Sequence, residues 1–448
     1  MLALSSPTLS NAFKIHASGI AAPSSDLGRF QSLEKTWHVS GPSGVRSLLV
    51  ATPAIVFVEY DSSVRSDSSD VAAKVVVTGD SEELIKALDV VPWNKHGDDG
   101  IELRFHSDKR EFRGHLLMKI LVGDKQALRT IKSMMSGDVV VTDDVLAAND
   151  SDANIELTVF GSGDVQVFSK QKLAVATLAV SSFASGDIEV QAPVIDAATD
   201  ILVTAFASGD VAVVAGDIRT EHVFTKTGAS GDVYLQADNL VADTIDTLVA
   251  GSGDVTLSRN GKCANQTARL TASGDYYAGS IVSEYADISV ISSGDALVQV
   301  TEQLTATIMA SGEIHYVNAQ PKELLVHARR SHGGRRSRKT AKQASHNSFD
   351  TFTPSEIPSQ SPELIVVGSH GGEWIFSDDD DSVVVVTGGN DQWTSNLAAA
   401  LPSSVREGVS APVVFGIVGA VMGVAGVAAV ARKYLRPQTN RAEFSRLV

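Results

Sequence analysis

Ser-Gly-Asp, once written Ser-Gly-Glu, recurs nine times between Met135 and Ile314. The acids are Asp138, Asp164, Asp187, Asp210, Asp232, Asp254, Asp275, Asp295 and Glu313, and their separations of 26, 23, 23, 22, 22, 21, 20 and 18 tighten slowly. A unit that short cannot enclose a core of its own, so its apolar face must be covered by the copies on either side. The period therefore selects a solenoid. A β-sandwich of short strands is the alternative that the same alternation would allow.

Each acid is followed by alternating residues such as Val165-Gln166-Val167, Ile188-Glu189-Val190, Val211-Ala212-Val213, Val255-Thr256-Leu257 and Ala296-Leu297-Val298. Period-two alternation marks a strand with one buried face. A second strand follows, as at Ile201 to Phe206 or Ala286 to Ile291. This grammar predicts an all-β, parallel β-helix of about nine or more turns, with two short strands and two corners per turn. At about 4.8 Å per turn the rod is on the order of 40 Å long. At the corner, Gly is expected to supply a positive φ, and Ser and Asp to bond neighbouring backbone N–H groups. Phe160, Phe183 and Phe206 each stand four residues before a repeat acid and predict an internal aromatic ladder, ended by Gly228, Ala250 and Thr271.

The net charge of −16 is concentrated: residues 136–320 hold 25 acids against 7 Lys and Arg. Such a surface repels phosphates, which argues against nucleic-acid binding. A lone cysteine, Cys263, precludes an internal disulfide framework and is expected to pack in the wall. Residues 1–31, rich in Ser, Ala and Pro, are expected to be disordered and carry no convincing signal peptide. Residues 32–134 form a β-rich lead-in, with strands expected at Ser47–Glu59, Ala72–Thr78, Ile101–His106 and His115–Val122 and a short helix at Ser81–Leu88. The repeats proper occupy 135–328. A basic run (Arg329, Arg330, Arg335, Arg336, Arg338, Lys339, Lys342) opens a Ser/Pro-rich stretch to 362, read as a disordered, solvated insertion. Terminal strands fall in 363–390, at Leu364–Val367, Trp374–Phe376 and Val383–Val386, before a linker over 391–410. All four tryptophans lie outside the repeats, as expected of capping segments.

Residues 411–431 carry no charge. As a helix they would span about 30 Å, the thickness of a bilayer core, so a C-terminal transmembrane α-helix is expected. Gly416, Gly419, Gly423 and Gly426 give it a small-residue face suited to self-association. The basic tail over 432–448 places the C-terminus in the cytoplasm. The solenoid then stands outside, at the cell surface, or else the chain is tail-anchored with its solenoid facing the cytosol on an organelle membrane. Asn149-Asp-Ser and Asn265-Gln-Thr have the glycosylation-acceptor pattern.

Stacked carboxylates must have their repulsion relieved, either by backbone amides or by Ca²⁺. Structural corner capping is the stronger reading, no cofactor is required, and Asp378–Asp381 forms a second acidic run. No catalytic group stands out, because the acids recur everywhere while the repeats hold only His222 and His315 and no Trp. A polysaccharide lyase or hydrolase is the enzymatic alternative. With these residues in view, the chain resembles the putative auto-transporter adhesin, head GIN domain family. The likeness rests on Gly161-Ser-Gly-Asp-Val165 and Gly251-Ser-Gly-Asp-Val255. It rests too on the lead-in motifs Val39-Ser-Gly-Pro-Ser-Gly, Val77-Thr-Gly-Asp-Ser-Glu-Glu-Leu-Ile and Asp98-Asp-Gly-Ile-Glu-Leu, over about residues 32–320. The resemblance implies a right-handed β-helix and an adhesin-like, non-enzymatic role, with a protein or glycan ligand left open.

Overall fold

Stacking of the residue after each acid organises the molecule. The computed structural model describes residues 13–387 apart from 26, 68–69, 96–97, 107–110, 329–339, 371–372 and 378–382. Val139, Val165, Ile188, Val211, Val233, Val255, Tyr276, Ala296 and Ile314 pair one on the next in parallel register. All are buried. The result is a β-solenoid of about nine turns with a continuous aliphatic core, each turn covering the apolar face of its neighbour.

The central turns have three pairing runs rather than the two expected, and the last turn keeps only two. Val211–Thr227 is one long strand, but it pairs with the next turn over residues 211–215, 217–220 and 222–227, with breaks at Gly216 and Glu221. The short middle run carries one large inward aliphatic residue per turn, buried at Ile195, Ile218 and Leu240, with Ala197 and Ala242 buried beside two of them, so it is a wall of its own. One large aliphatic position, with at most an alanine beside it, is too brief for a periodicity reading to register as a strand. The later turns shorten at the corner around Gly279–Ile281, where pairing skips from Ala278 to Val282.

The phenylalanines do stack, with centroids 5.2 and 4.9 Å apart, but the ladder lies on the outside. Phe160 is 38% exposed. The preceding positions, Val159, Ser182 and Ala205, end their strands facing inward, so the next residue must face out. Lys132 and Lys226 lie over the two end rings, Phe160 and Phe206.

The lead-in supplies true turns and then a lid. Val56 pairs in parallel with both Val139 and Met118, so two further rungs precede the first repeat. The strand Glu111–Val122 then pairs antiparallel with Val71–Gly79, which pairs with Leu33–Ser40, which pairs with Lys14–Ala17. Strands stand at the expected places, but the stretch expected as one strand over Ser47–Glu59 is two, Ser47–Ala51 and Val56–Tyr60, and the others are Val71–Gly79, Asp98–Phe105 and Glu111–Val122. The helix is Glu82–Lys86, capped by Ser81. Of the segment expected to be disordered, residues 1–12 lie outside the described residues, but residues 14–17 form a strand and Phe13 is buried at 4%. Residues 14–17 are held there by pairing on the edge of the strand Leu33–Ser40, from Trp37 to Ser40.

The Ser/Pro-rich stretch is also ordered where it is described. Residues 340–362 run back along the solenoid from its last turn towards its first. Lys342–Gln343 pair with His315–Tyr316. Asn347 Nδ2 then donates to Ser280 Oγ (2.9 Å), Phe352 packs against Tyr234 and Ser355 meets Glu189. Gln360 reaches Lys119 and Glu59, and Glu363–His370 pairs antiparallel with residues 111–116. Strands Glu373–Ser377 and Val383–Thr387 complete this meander. Among the described residues no helix is long and apolar enough to cross a membrane. The expected span 411–431, its four glycines and the Asp378–Asp381 run lie outside the described residues.

Candidate functional site: a column of carboxylates at the repeat corner

The nine repeat acids form one column. The eight aspartates each use Oδ1 to accept the main-chain N–H of the acid one turn later, from Asp138 to Asp164 (2.8 Å) and on through Asp187, Asp210, Asp232, Asp254 and Asp275 (2.7 Å each). Asp295 follows at 2.6 Å and Glu313 at 2.7 Å. The main chain runs a second line beside it: Val165 N–H donates to Asp187 C=O, and Val211 N–H to Asp232 C=O, both at 2.9 Å. A corner amide that would otherwise be an unpaired donor at a sheet bend is thereby satisfied, eight times over.

Glycine is required at this corner, but not for a positive φ. Among the described glycines only Gly28 lies in the left-handed region. At the repeats the constraint is approach: a Cβ on Gly209 would stand 2.1 Å from Gly186 O, and one on Gly231 2.2 Å from Gly209 O. Turns stack so closely here that no side chain fits between them. Serine has a different place again, since Ser136 Oγ and Ser162 Oγ are buried and without a hydrogen-bond partner.

The column's electrostatics follow from this stacking. Burial raises Asp164 and Asp254 to about 6, and the amide each accepts and the neighbouring aspartates pull in opposite directions. Asp187 and Asp210 are raised for the same reasons, burial first. The second oxygen finds other partners at some turns. Tyr234 Oη donates to Asp232 Oδ2 at 3.0 Å, and Tyr277 Oη to Asp275 Oδ2 at 2.9 Å. Burial, and the aspartate each faces, raise both phenols. The far end is neutralised: Glu313 meets Lys342 Nζ at 2.7 Å and His315 Nε2 at 2.9 Å, and those contacts hold its carboxyl below the usual range.

These neighbours were missed from sequence. Lys342 lay in a basic run read as solvated, and nothing local ties it to Glu313. The two tyrosines, each two residues after an acid, were the available signal. Cys263 is buried, and burial pushes its thiol up to about 12, which suits packing rather than chemistry. Among the described residues no group of three or more His, Cys, Asp or Glu is placed to hold a metal ion.

A column built on Ser-Gly-Asp is the feature on which the family likeness turns. Residues 197–319 match the family model of the putative auto-transporter adhesin, head GIN domain. The matched stretch runs from the repeat of Asp210 to that of Glu313; the lead-in motifs lie outside it. Among solved structures, a putative adhesin of Parabacteroides distasonis is similar over 75% of this chain and 98% of its own, at 13% identity and a TM-score of 0.32. A putative adhesin of Parabacteroides merdae is similar over 70% and 96%, at 14% identity and a TM-score of 0.30. A putative lipid binding protein of Parabacteroides distasonis is similar over 75% and 98%, at 15% identity and a TM-score of 0.30. No curated protein matches the chain.

Proposed function

We propose that this chain is a non-enzymatic, adhesin-like β-solenoid, wound right-handed and anchored by residues 411–431, that presents its acidic repetitive surface for binding outside the cell. The observation that carries the reading is the uniform use of the repeat acids. Eight successive carboxylates accept the same amide one turn on, which is the task of a scaffold element. A catalytic pair would instead require two carboxyls whose surroundings drive them to opposite roles. Along this column the shifted aspartates move in one direction for one reason. The family likeness over residues 197–319 supports an adhesin-like role. The uncharged run at 411–431 with its basic flank supports an anchor.

Protease protection tests the topology. In microsomes from native-host cells carrying a tag near Ser5, the solenoid is expected to resist protease until the membrane is opened, and any glycan on it to be removed by glycosidase. Digestion of the solenoid on intact microsomes would contradict the cell-surface reading and make the chain a cytosol-facing, tail-anchored scaffold.

A further inference from the structure

The sheet face under the returning segment is equipped to read a main chain. Glu189 and Gln191 sit two residues apart, and Gln191 Nε2 donates to Glu189 Oε1 at 2.7 Å. Together they take both main-chain groups of one residue: Ser355 N–H donates to Glu189 Oε1 (3.0 Å), and Ser355 C=O accepts from Gln191 Nε2 (2.8 Å). Two turns on, Gln236 Nε2 donates to Phe352 C=O at 3.3 Å, and the Tyr234 and Phe352 rings lie 5.5 Å apart. Ala212, at the register position between Glu189 and Tyr234, leaves room between the two contacts.

The covering and the covered are unequal. Outward-facing Glu189, Gln236, Thr256 and Ser258 are 5, 1, 2 and 2% exposed, as core residues are. The segment above them is mostly exposed; Phe352 and Pro358 are half-buried, and Ile357 is 48% exposed. Strand pairing holds it only at its ends, at Lys342–Gln343 and from Glu363 onward, while residues 345–362 form no strand. The middle is therefore a bow that can lift while both ends stay fixed.

We propose that this face is a peptide-binding face which the chain keeps filled with its own residues 347–360. Its external partner is an extended, proline-punctuated peptide from another chain. That peptide carries an aromatic side chain for Tyr234 three residues before the residue seated on Glu189 and Gln191. The chemistry is that of the seated segment, in which Phe352, Pro354, Ser355 and Pro358 hold those places. Recognition rests on main-chain hydrogen bonds with one aromatic anchor, a mode that tolerates variation elsewhere in the peptide. The internal segment competes as a tethered ligand at high effective concentration, so an outside peptide binds only when the bow lifts.

The test uses the full chain and a labelled synthetic peptide of residues 347–362. In a Phe352→Ala/Ser355→Pro variant the internal segment loses its ring and its N–H, and peptide binding is expected to be at least tenfold tighter than to wild type. Adding Glu189→Ala and Gln191→Ala should remove that gain. An opened variant with unchanged β-sheet circular dichroism that fails to bind the peptide would overturn the proposal. If the variant does not fold, wild-type protein with protease sites on both sides of the segment is cut after folding. Exchange of the cut segment for labelled peptide supports the proposal, and a segment that cannot be exchanged overturns it.

Discussion

Gly209→Ala is expected to cost about 3 kcal/mol or more of unfolding free energy, the upper range for overpacking in a rigid interior. The added methyl would meet Gly186 O at 2.1 Å, with Ser182 Oγ at 2.7 Å. Neither a rotamer change nor a side-chain shift can relieve this, because the obstacle is the main chain of the turn below. The turns would have to part, and parting them breaks the Asp187–Asp210 bond of 2.7 Å and the pairing of Ile188 with Val211. Gly19→Ala, where a Cβ meets nothing within 4 Å, is the matched control and should be neutral. Denaturant unfolding of both variants measures the difference. Equal midpoints would mean that the corner glycines are there for some reason other than approach.

Acidification from pH 7 to pH 5 is expected to stabilise the solenoid. The four raised aspartates, Asp164, Asp187, Asp210 and Asp254, hold protons more tightly folded than unfolded. In the window between the ordinary carboxylate range and about 6, the value reached by Asp164 and Asp254, the native state thus binds more protons. Stability must then fall as pH rises through that window and recover as it drops. After allowance for solvent screening of these partly exposed groups, the gain is about 1 kcal/mol or more. Below the ordinary carboxylate range the sign reverses, since Glu313 is held low by Lys342 and His315 and loses those partners on protonation. Replacing all four aspartates with asparagine keeps an oxygen for each amide and removes the charge. That variant should be more stable than wild type at pH 7 and should lose the rise on acidification. Asp210→Ala has the opposite effect, because it strands the Asp232 N–H, at a cost of about 1–3 kcal/mol. Thermal unfolding across pH checks all three, and a monotonic loss of stability from pH 7 downward would contradict the argument.

The parts of this fold that sequence discloses are those with short-range causes. The residue after each acid, from Val139 to Ile314, is apolar or small at every repeat, and period-two alternation then places it inward. The carboxylate–amide bond, one of two ways to relieve stacked acids, recurs at eight corners. Glycine was assigned correctly to the corner for the wrong reason, since a close approach and a positive φ leave the same residue in a sequence. The side on which the phenylalanines lie is hidden in the sequence because parity does not carry across a bend. The segment from Thr340 to Pro362 is the least legible in sequence. Its partners lie more than a hundred positions away at Gln236 and Glu189, and its composition is that of an unfolded linker. The same blindness hid Lys342, whose pairing with Glu313 exists only because the segment returns.

Hydrogen exchange at the repeat acids themselves tests the central claim most directly. If the carboxylate column carries the corners, the amides of Asp164, Asp187, Asp210, Asp232, Asp254, Asp275 and Asp295 should exchange as slowly as core amides such as Val211 and Val233, and only through cooperative opening. Exchange at these positions as fast as that of exposed loop amides would contradict it, and would return the acids to solvent as ordinary surface charges.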